Sequence, residues 1–395
     1  PRPDRPRPTP ALPRSGPRPA RIIAEVAVSA RVDTATSAPL SRPRTSRDTS
    51  AATSAPRRRL LRVNAPHSSD RPGNAPQPDD TTRPDDTTQP NDTTKADDTT
   101  QPDGLTTPVD ATHPLVVARL RCPVCAGPLA AATDTRALRC PRRHSFDLAR
   151  QGYVNLLTGR SPHVGDTAEM VAARADFLAA GHYHLISSAL AEAAATHAGT
   201  AGFGAYPLVV DAGAGTGRHL AAVLAALPDA VGLALDVAKP ALRRAARAHP
   251  RAAAALADTW RPLPLADRSV AVLLNVFAPR NGDEFHRVLH PAGALLVVTP
   301  TDAHLAELVE VLGLLRVDPA KADRVADSLA GRFTPEHATV HTARLALDRA
   351  EVTTLVGMGP SAWHTDPHRL AAAIDALPAP VTVTASVRLT VWRPR

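Results

Sequence analysis

The run Leu208-Val-Val-Asp211-Ala-Gly213-Ala-Gly215-Thr-Gly217-Arg-His constrains this chain more than any other segment. Apolar residues ending in an acid read as a buried strand. Glycine at alternate positions then lets the backbone turn sharply and lets a ligand lie against the peptide plane with no Cβ in the way. Residues 206–300 supply the sheet that such a turn needs. Apolar runs predict strands over 208–211, 231–236, 253–257, 270–275 and 294–299, and Ala-rich amphipathic runs predict helices over 217–227, 240–248 and 283–289. That alternation predicts an α/β fold, a doubly wound Rossmann-like sheet with helices on both faces. Residues 151–200 read as mostly helical, and the last third adds segments over 302–315 and 343–356 and a final strand over 381–392.

The details of the turn select its ligand. A dinucleotide fold would use Gly-x-Gly-x-x-Gly with a helix N-terminus aimed at a pyrophosphate. Here the third glycine comes one residue early and an acid ends the strand, which fits a cationic cofactor better than an anionic one. Asp236 ends the second strand, where a carboxylate can accept hydrogen bonds from ribose hydroxyls. Asp258-Thr-Trp260 ends the third strand and offers an adenine partner and a stacking face. The set is that of a class I S-adenosylmethionine-binding methyltransferase, with Asp211, Gly213, Gly215, Gly217 and Asp236 as cofactor candidates. The alternative is a tight turn in an α/β sheet with no cofactor.

The three cysteines of the chain lie together, as Cys122-x2-Cys125, fourteen residues, then Cys140-x3-His144. Two short chain reversals supplying two soft or borderline ligands each match a tetrahedral Cys3His site, and zinc is the metal that fits. Four protein ligands leave no open position for a substrate water, so the role is structural. Residues 136–139 read as a short strand feeding the second pair. Residues 115–160 carry a net charge of +6, from Arg119, Arg121, Arg136, Arg139, Arg142, Arg143, Arg150 and Arg160 against Asp134 and Asp147, while residues 161–395 come to −1. With too few apolar residues for a core of its own, this segment would present its arginine forks outward, where they suit phosphate. The alternative is a solvated basic surface with no ligand.

Residues 1–114 are of another kind. Residues 1–110 hold 19 of the 40 prolines and no Phe, Tyr or Trp, so they cannot bury enough apolar surface to offset their backbone entropy and should be disordered. The hexamers DDTTRP, DDTTQP, NDTTKA and DDTTQP over 79–102 read as an extended solvated linker. This tail carries +10 over 1–78 and −7 over 79–110, so the high pI says little about the folded part. The first residue is Pro1, and one reading is that translation begins near Val109, Val116 or Val117; the other is a genuine disordered tail. The most apolar stretch, 220–238, is interrupted by Pro228, Asp229 and Asp236, so no membrane span is expected. Without a secretory apolar run or a disulfide framework, the cytoplasm is the expected compartment. The expected organisation is a tail over 1–114, a zinc-binding domain with a phosphate-suited surface over 115–160 and a methyltransferase domain over 161–395.

Several motifs in order resemble the 23S rRNA (guanine-N1-)methyltransferases, a family that includes a macrolide-resistance branch. They are Cys-Pro-Val-Cys125, Cys-Pro-Arg-Arg-His144-Ser-Phe-Asp, Gly152-Tyr-Val-Asn-Leu-Leu157, Gly165-Asp-Thr-Ala-Glu-Met170 with Ala173-Arg174 and Phe177-Leu178, Gly181-His-Tyr183, the glycine turn, Leu235-Asp236-Val, Phe277-Ala-Pro279, Thr299-Pro300 and His304-Leu. The resemblance implies that Cys122, Cys125, Cys140 and His144 bind zinc and that Tyr183, Gly215, Thr216 and His304 contact S-adenosylmethionine. It also implies a homodimer whose zinc domains help to form a cleft for 23S rRNA. In such an enzyme Phe277 would stack on the target base and Asn275 would hydrogen-bond its edge, or both would only shape the loop. No carboxylate or histidine stands out as the acceptor of the guanine N1 proton. Two rival readings are a small-molecule methyltransferase and a zinc-ribbon RNA-binding protein with an inactive cofactor pocket.

Overall fold

The computed structural model describes residues 108–395 except 133, 160, 162, 164, 199–203, 319 and 360–365. The expectations for residues 1–107, with the hexamers, and for Arg160 lie outside the described residues, whereas residues 108–114, which the expected tail included, are part of the folded chain, with Val109 and Ala111 buried. The elements run α1 (Pro114–Val117), β1 (Ala130–Ala131), β2 (Ala137–Arg139), β3 (Ser145–Asp147), β4 (Tyr153–Asn155), α2 (Ala168–Ala179) and α3 (His184–Ala198). Then follow β5 (Leu208–Ala212), α4 (Arg218–Ala226), β6 (Val231–Asp236), α5 (Lys239–Ala245), β7 (Ala252–Leu256), β8 (Val270–Val276), α6 (Gly282–Val288) and β9 (Leu289–Pro300). The chain closes with α7 (Ala306–Leu312), α8 (Lys321–Leu329), β10 (Phe333–Leu347), α9 (Arg349–Gly357), α10 (Pro367–Asp375) and β11 (Val381–Pro394).

Eight strands form one sheet in the order β10-β11-β9-β8-β5-β6-β7-β4. The pairs from β9 to β4 are parallel, and β11 runs antiparallel to both its neighbours. The chain moves outward from β5 through β6 and β7, then returns to β8 on the other side of β5. That reversal opens a crevice at the carboxyl ends of β5 and β8, where open α/β sheets take their ligands. The glycine turn follows β5 directly into this crevice.

Alternate residues of each strand feed two cores, as a pleat with period 2 requires. Val209, Ala234, Ala254 and Val272 join Phe177, Ile186, Leu190, Leu220, Leu224 and Leu242 on one face. Leu208, Val210, Leu233, Leu235, Ala253 and Ala255 join Phe285, Val288, Val325 and Leu329 on the other. Phe177 and Phe285, one in each core, are fully buried, and each contributes roughly 2–3 kcal/mol.

Two local readings differ from the structure. The segment over 343–356 is the end of the long strand β10 followed by α9, whose start is fixed by Asp348 in a reciprocal cap with Glu351. Within the segment read as mostly helical, β4 adds an edge strand beside β7. The cysteine segment has a small antiparallel sheet, β1-β2-β3, but it does not stand apart. Leu120, Leu129, Leu138, Leu148, Cys122 and Cys140 are buried in the same core as β6 and β7. Val109 and Ala111 are buried there as well, and the Val109 amide donates to Pro250 O at 2.7 Å.

Candidate functional site

The four metal candidates converge. Cys125 Sγ and Cys140 Sγ are 3.7 Å apart, and His144 Nδ1 lies 3.5 Å from Cys122 Sγ and 3.3 Å from Cys140 Sγ. All four donor atoms fall within 4.8 Å of one another. A zinc tetrahedron with bonds of about 2.3 Å to sulfur and about 2.0 Å to nitrogen has edges of about 3.5–3.8 Å, so the donor set fits the metal. Two knuckles hold it: the Ala126 amide donates to Cys122 O at 2.8 Å and the Arg143 amide to Cys140 O at 2.9 Å. Burial pushes the Cys140 thiol up, but the His144 amide, Cys125 and the Arg142 amide pull it down to about 7, which favours the ligating thiolate.

Of the surrounding arginines, Arg136, Arg139, Arg142, Arg143 and Arg150 are exposed. Arg139 is paired with Asp134 at 3.0 Å. Arg119 faces inward and donates to the carbonyls of Leu115 and Tyr206. It fastens the segment to the sheet, and burial lowers its pKa.

The glycine turn is packed from two sides. A Cβ on Gly213 would stand 2.4 Å from Ala278 Cβ, and one on Gly217 would stand 2.9 Å from Ala245 Cα; both glycines have φ near +80°. Side chains are thus excluded there by neighbours as well as by backbone conformation. Thr216 is buried within the turn. Asp236 fixes the turn's shape, since its two oxygens accept the Gly215 and Ala238 amides, each at 2.8 Å. Burial raises the Asp236 pKa, opposed by those two amides.

Asp211 is the anomaly. It is 1% exposed and neither carboxylate oxygen has a hydrogen-bond partner among the described residues. Burial first, and the Asp236 charge second, push its pKa up to about 8. A buried acid left in this state beside a ligand crevice marks a place for a cationic group.

Tyr183 and His304, remote in sequence, meet beside Phe277 in the loop after β8. The Ser386 amide donates to His304 Nδ1 at 3.1 Å, which places the ring proton on Nε2, where it donates to Tyr183 Oη at 3.1 Å. Burial holds the Tyr183 phenol well above its usual range, so it stays protonated. Phe277 completes a group of three rings, with centroids 6.4 Å from Tyr183 and 5.9 Å from His304. It does so at φ +52°, a left-handed conformation that is strained for an aromatic residue. Ala278, next to it, is the residue pressed against Gly213.

Asn275 is fully buried and donates to Ala212 O at 3.1 Å and to Pro279 O at 2.9 Å, tying the end of β5 to the loop after β8. Asp258 accepts from Ser161 Oγ and the Trp260 amide and pairs with His163 Nδ1 at 2.8 Å. Trp260 is 40% exposed and lines an open groove of about 540 Å³ with Arg280, Asp283 and Arg332.

One residue of the site had no role in the sequence reading. Arg174, on α2, contacts Asp166 through Nη1 and donates from Nη2 to Met358 O at 2.9 Å. The same Nη1 lies 3.5 Å from where a Gly215 Cβ would be, so a guanidinium rests on the glycine turn. The only signal was its place eight residues after Asp166, inside a motif whose other members cap and pack α2.

Among known proteins, a family model described as "RlmA, N-terminal", a zinc ribbon, matches residues 120–160. A Micromonospora griseorubida protein named as a 23S rRNA (guanine-N(1)-)-methyltransferase is 69% identical over 293 residues, covering 71% of this chain and 99% of the relative. A Streptomyces fradiae 23S rRNA (guanine(748)-N(1))-methyltransferase is 53% identical over 279 residues, covering 71% of this chain and 98% of its own length. Among solved structures, the YcgJ protein of Bacillus subtilis is 14% identical with a TM-score of 0.36, covering 52% of this chain and 98% of that one. With both relatives spanned almost end to end at these identities, the chain belongs to the 23S rRNA (guanine-N1-)-methyltransferase family.

Proposed function

We propose that this chain transfers the methyl group of S-adenosylmethionine to N1 of a guanine in a 23S rRNA hairpin. One observation carries the cofactor half of the reading: the glycine turn lies between an unpartnered buried acid, Asp211, and a guanidinium, Arg174. A sulfonium amino acid has the complementary charges. When bound, S-adenosylmethionine supplies a methyl group already activated by its positive sulfur. Asp211 and Asp236 give the pocket its negative side, Arg174 is the group placed to hold the carboxylate, and Gly213, Gly215, Thr216 and Gly217 let the ligand approach the backbone. Tyr183, Phe277 and His304 form an aromatic wall, which suits a cation and excludes water. Their role is to position the reacting groups in line, the main requirement for displacement at an activated methyl.

The names of the two relatives carry the substrate half. Guanine 748, given in the name of the Streptomyces fradiae protein, is the nucleotide to test first, with macrolide resistance as the phenotype. N1 is paired in a duplex, so the target guanine must be unpaired or flipped out. Zinc holds the ribbon in shape and takes no part in the chemistry. We place the active enzyme in the cytoplasm, with the ribosome, as the homodimer that the family resemblance implies. In the test, purified protein, tritiated cofactor and unmethylated 23S rRNA give one methyl group per RNA and a primer-extension stop at one guanine. No transfer to rRNA, with transfer to a small acceptor instead, refutes the reading.

A further inference from the structure

Helix α5 presents a surface that the proposed chemistry does not use. Ala241, Leu242 and Ala245 face the core, while Lys239, Arg243 and Arg244, with Arg247 in the turn just after the helix, are exposed. No Asp or Glu occurs between Asp236 and Asp258. None of these four cations makes an ion pair among the described residues. Elsewhere on the surface Arg287, Arg332 and Arg393 are matched to acids. Lys239 and Arg243 are one helical turn apart, so like charges face each other, an arrangement that weakens an isolated helix. Arg243 and Arg244 suit the negative C-terminal end of α5, but Lys239 sits at the positive end, where a cation is unfavourable. Helix stability therefore does not account for the set.

Two close contacts extend the patch. Gly217 packs so tightly on Ala245 and Ala248 that its missing Cβ would stand 2.9 Å from Ala245 Cα and 3.1 Å from Ala248 Cβ. Arg218, exposed at the start of α4, is thereby brought beside the end of α5. On the other side, a Cβ on Gly152 would touch Ala246 Cβ at 3.5 Å, which places the turn carrying exposed Arg150 against the same segment. Arg150 stands at the end of the zinc ribbon, and Arg218 directly follows the glycine turn. The charge balance of −1 over 161–395 conceals this, because none of the acids of that region falls in the chain between Asp236 and Asp258.

We propose that Arg218, Lys239, Arg243, Arg244, Arg247 and Arg150 form a second phosphate-binding track, which holds the RNA backbone between the zinc ribbon and the cofactor turn. The inference rests on the rRNA reading and adds to it the surface that the strand follows. Unpaired guanidinium groups in a row are suited to the evenly spaced phosphates of RNA.

Fluorescence anisotropy of a labelled 23S hairpin transcript, titrated with KCl, tests it on the full chain. The triple variant R243Q/R244Q/R247Q, which leaves the zinc and cofactor residues untouched, is expected to bind at least tenfold more weakly at low salt. The slope of log K against log[KCl] should fall by about 2, since each lost phosphate contact removes about 0.7–0.9. Calorimetric binding of S-adenosylmethionine should not change. The triple lysine variant at the same positions should restore most of the slope, which a structural role for the arginines would not predict. R247Q alone, with about a third of the slope change, serves if the triple variant unfolds. An unchanged slope in variants that still bind the cofactor overturns the proposal. If the unaltered protein fails to bind or methylate the hairpin, the rRNA reading itself fails and the track with it.

Discussion

Replacing Asp211 with asparagine tests the charge pattern of the pocket. The carboxyl is buried without a hydrogen-bond partner among the described residues, and its pKa is pushed up to about 8 from 3.8, by burial and then by Asp236. The sign follows from the two states of the chain. Below about pH 4 the group is protonated whether folded or unfolded and costs nothing. Between about pH 4 and pH 8 the unfolded chain releases the proton and the folded chain keeps it, so stability falls as pH rises, by up to about 1.4 kcal/mol per unit. At pH 7 the accumulated penalty is on the order of 4 kcal/mol. D211N removes the ionisable group and keeps the shape, so the ligand-free variant should melt several degrees higher at pH 7, on the order of 10 °C, and lose this part of its pH dependence. A cationic ligand should reverse the preference. With its pKa pushed up to about 8, the Asp211 carboxyl is mostly protonated at pH 7, so binding of S-adenosylmethionine should release a proton from it in the native protein that D211N cannot release. The variant should also bind the cofactor at least tenfold more weakly. Thermal melts from pH 4 to pH 9 and calorimetry in two buffers of different ionisation enthalpy read both effects. A ligand-free D211N less stable than the native protein at pH 7, or native binding with no proton release, would refute the reasoning.

Three other outcomes are expected from the same geometry. Gly213→Ala places a methyl 2.4 Å from Ala278 Cβ at φ +86° and should cost about 2–4 kcal/mol in denaturant unfolding; adding A278G should recover the packing part and leave the backbone part. Arg174→Gln should abolish discrimination between S-adenosylmethionine and its decarboxylated analogue, which the native protein should make by about tenfold or more in calorimetry. Purified protein should contain one zinc per chain by atomic emission, and Cys140→Ser should remove it and lower the melting temperature of the whole molecule in a single transition, because Cys140 shares a core with β6 and β7.

The parts of the fold legible in the sequence are those where one local rule acts alone. The strand over 231–236 coincides with β6, and that over 208–211 with β5 to within a residue, because each is an apolar run buried on both faces and stopped by a turn signal. β10 was not legible. It lies at the sheet edge with most of its residues exposed or half-buried, and Pro335 stands at its bulge, so neither an apolar run nor strict alternation marks it. The metal set was legible because ligand spacing is a property of the chain itself. The contact of Arg174 with the glycine turn was not, since it depends on how α2 packs against α5 and α9. For Tyr183 and His304, 121 residues apart, only the family resemblance placed them near the cofactor.

The zinc segment is too poor in apolar residues to fold around a core of its own, and it solves this by sharing the core of the sheet. Leu120, Leu138 and Leu148 complete the core beneath β6 and β7, Leu120 bridges to Leu265, and the Arg121 amide donates to Pro264 O at 3.0 Å. A ribbon held in this way cannot swing on a linker as a separate recognition module would. The exposed arginines of its second knuckle therefore keep a fixed relation to β6, and β6 ends in Asp236, which shapes the glycine turn. Ribbon, sheet and turn form one packed unit, so the distance from the ribbon to the glycine turn is set by side-chain packing, whose few-kilocalorie defects are felt through the whole core. Removal of the metal should then misplace the RNA with respect to the cofactor even where the glycine turn itself remains intact.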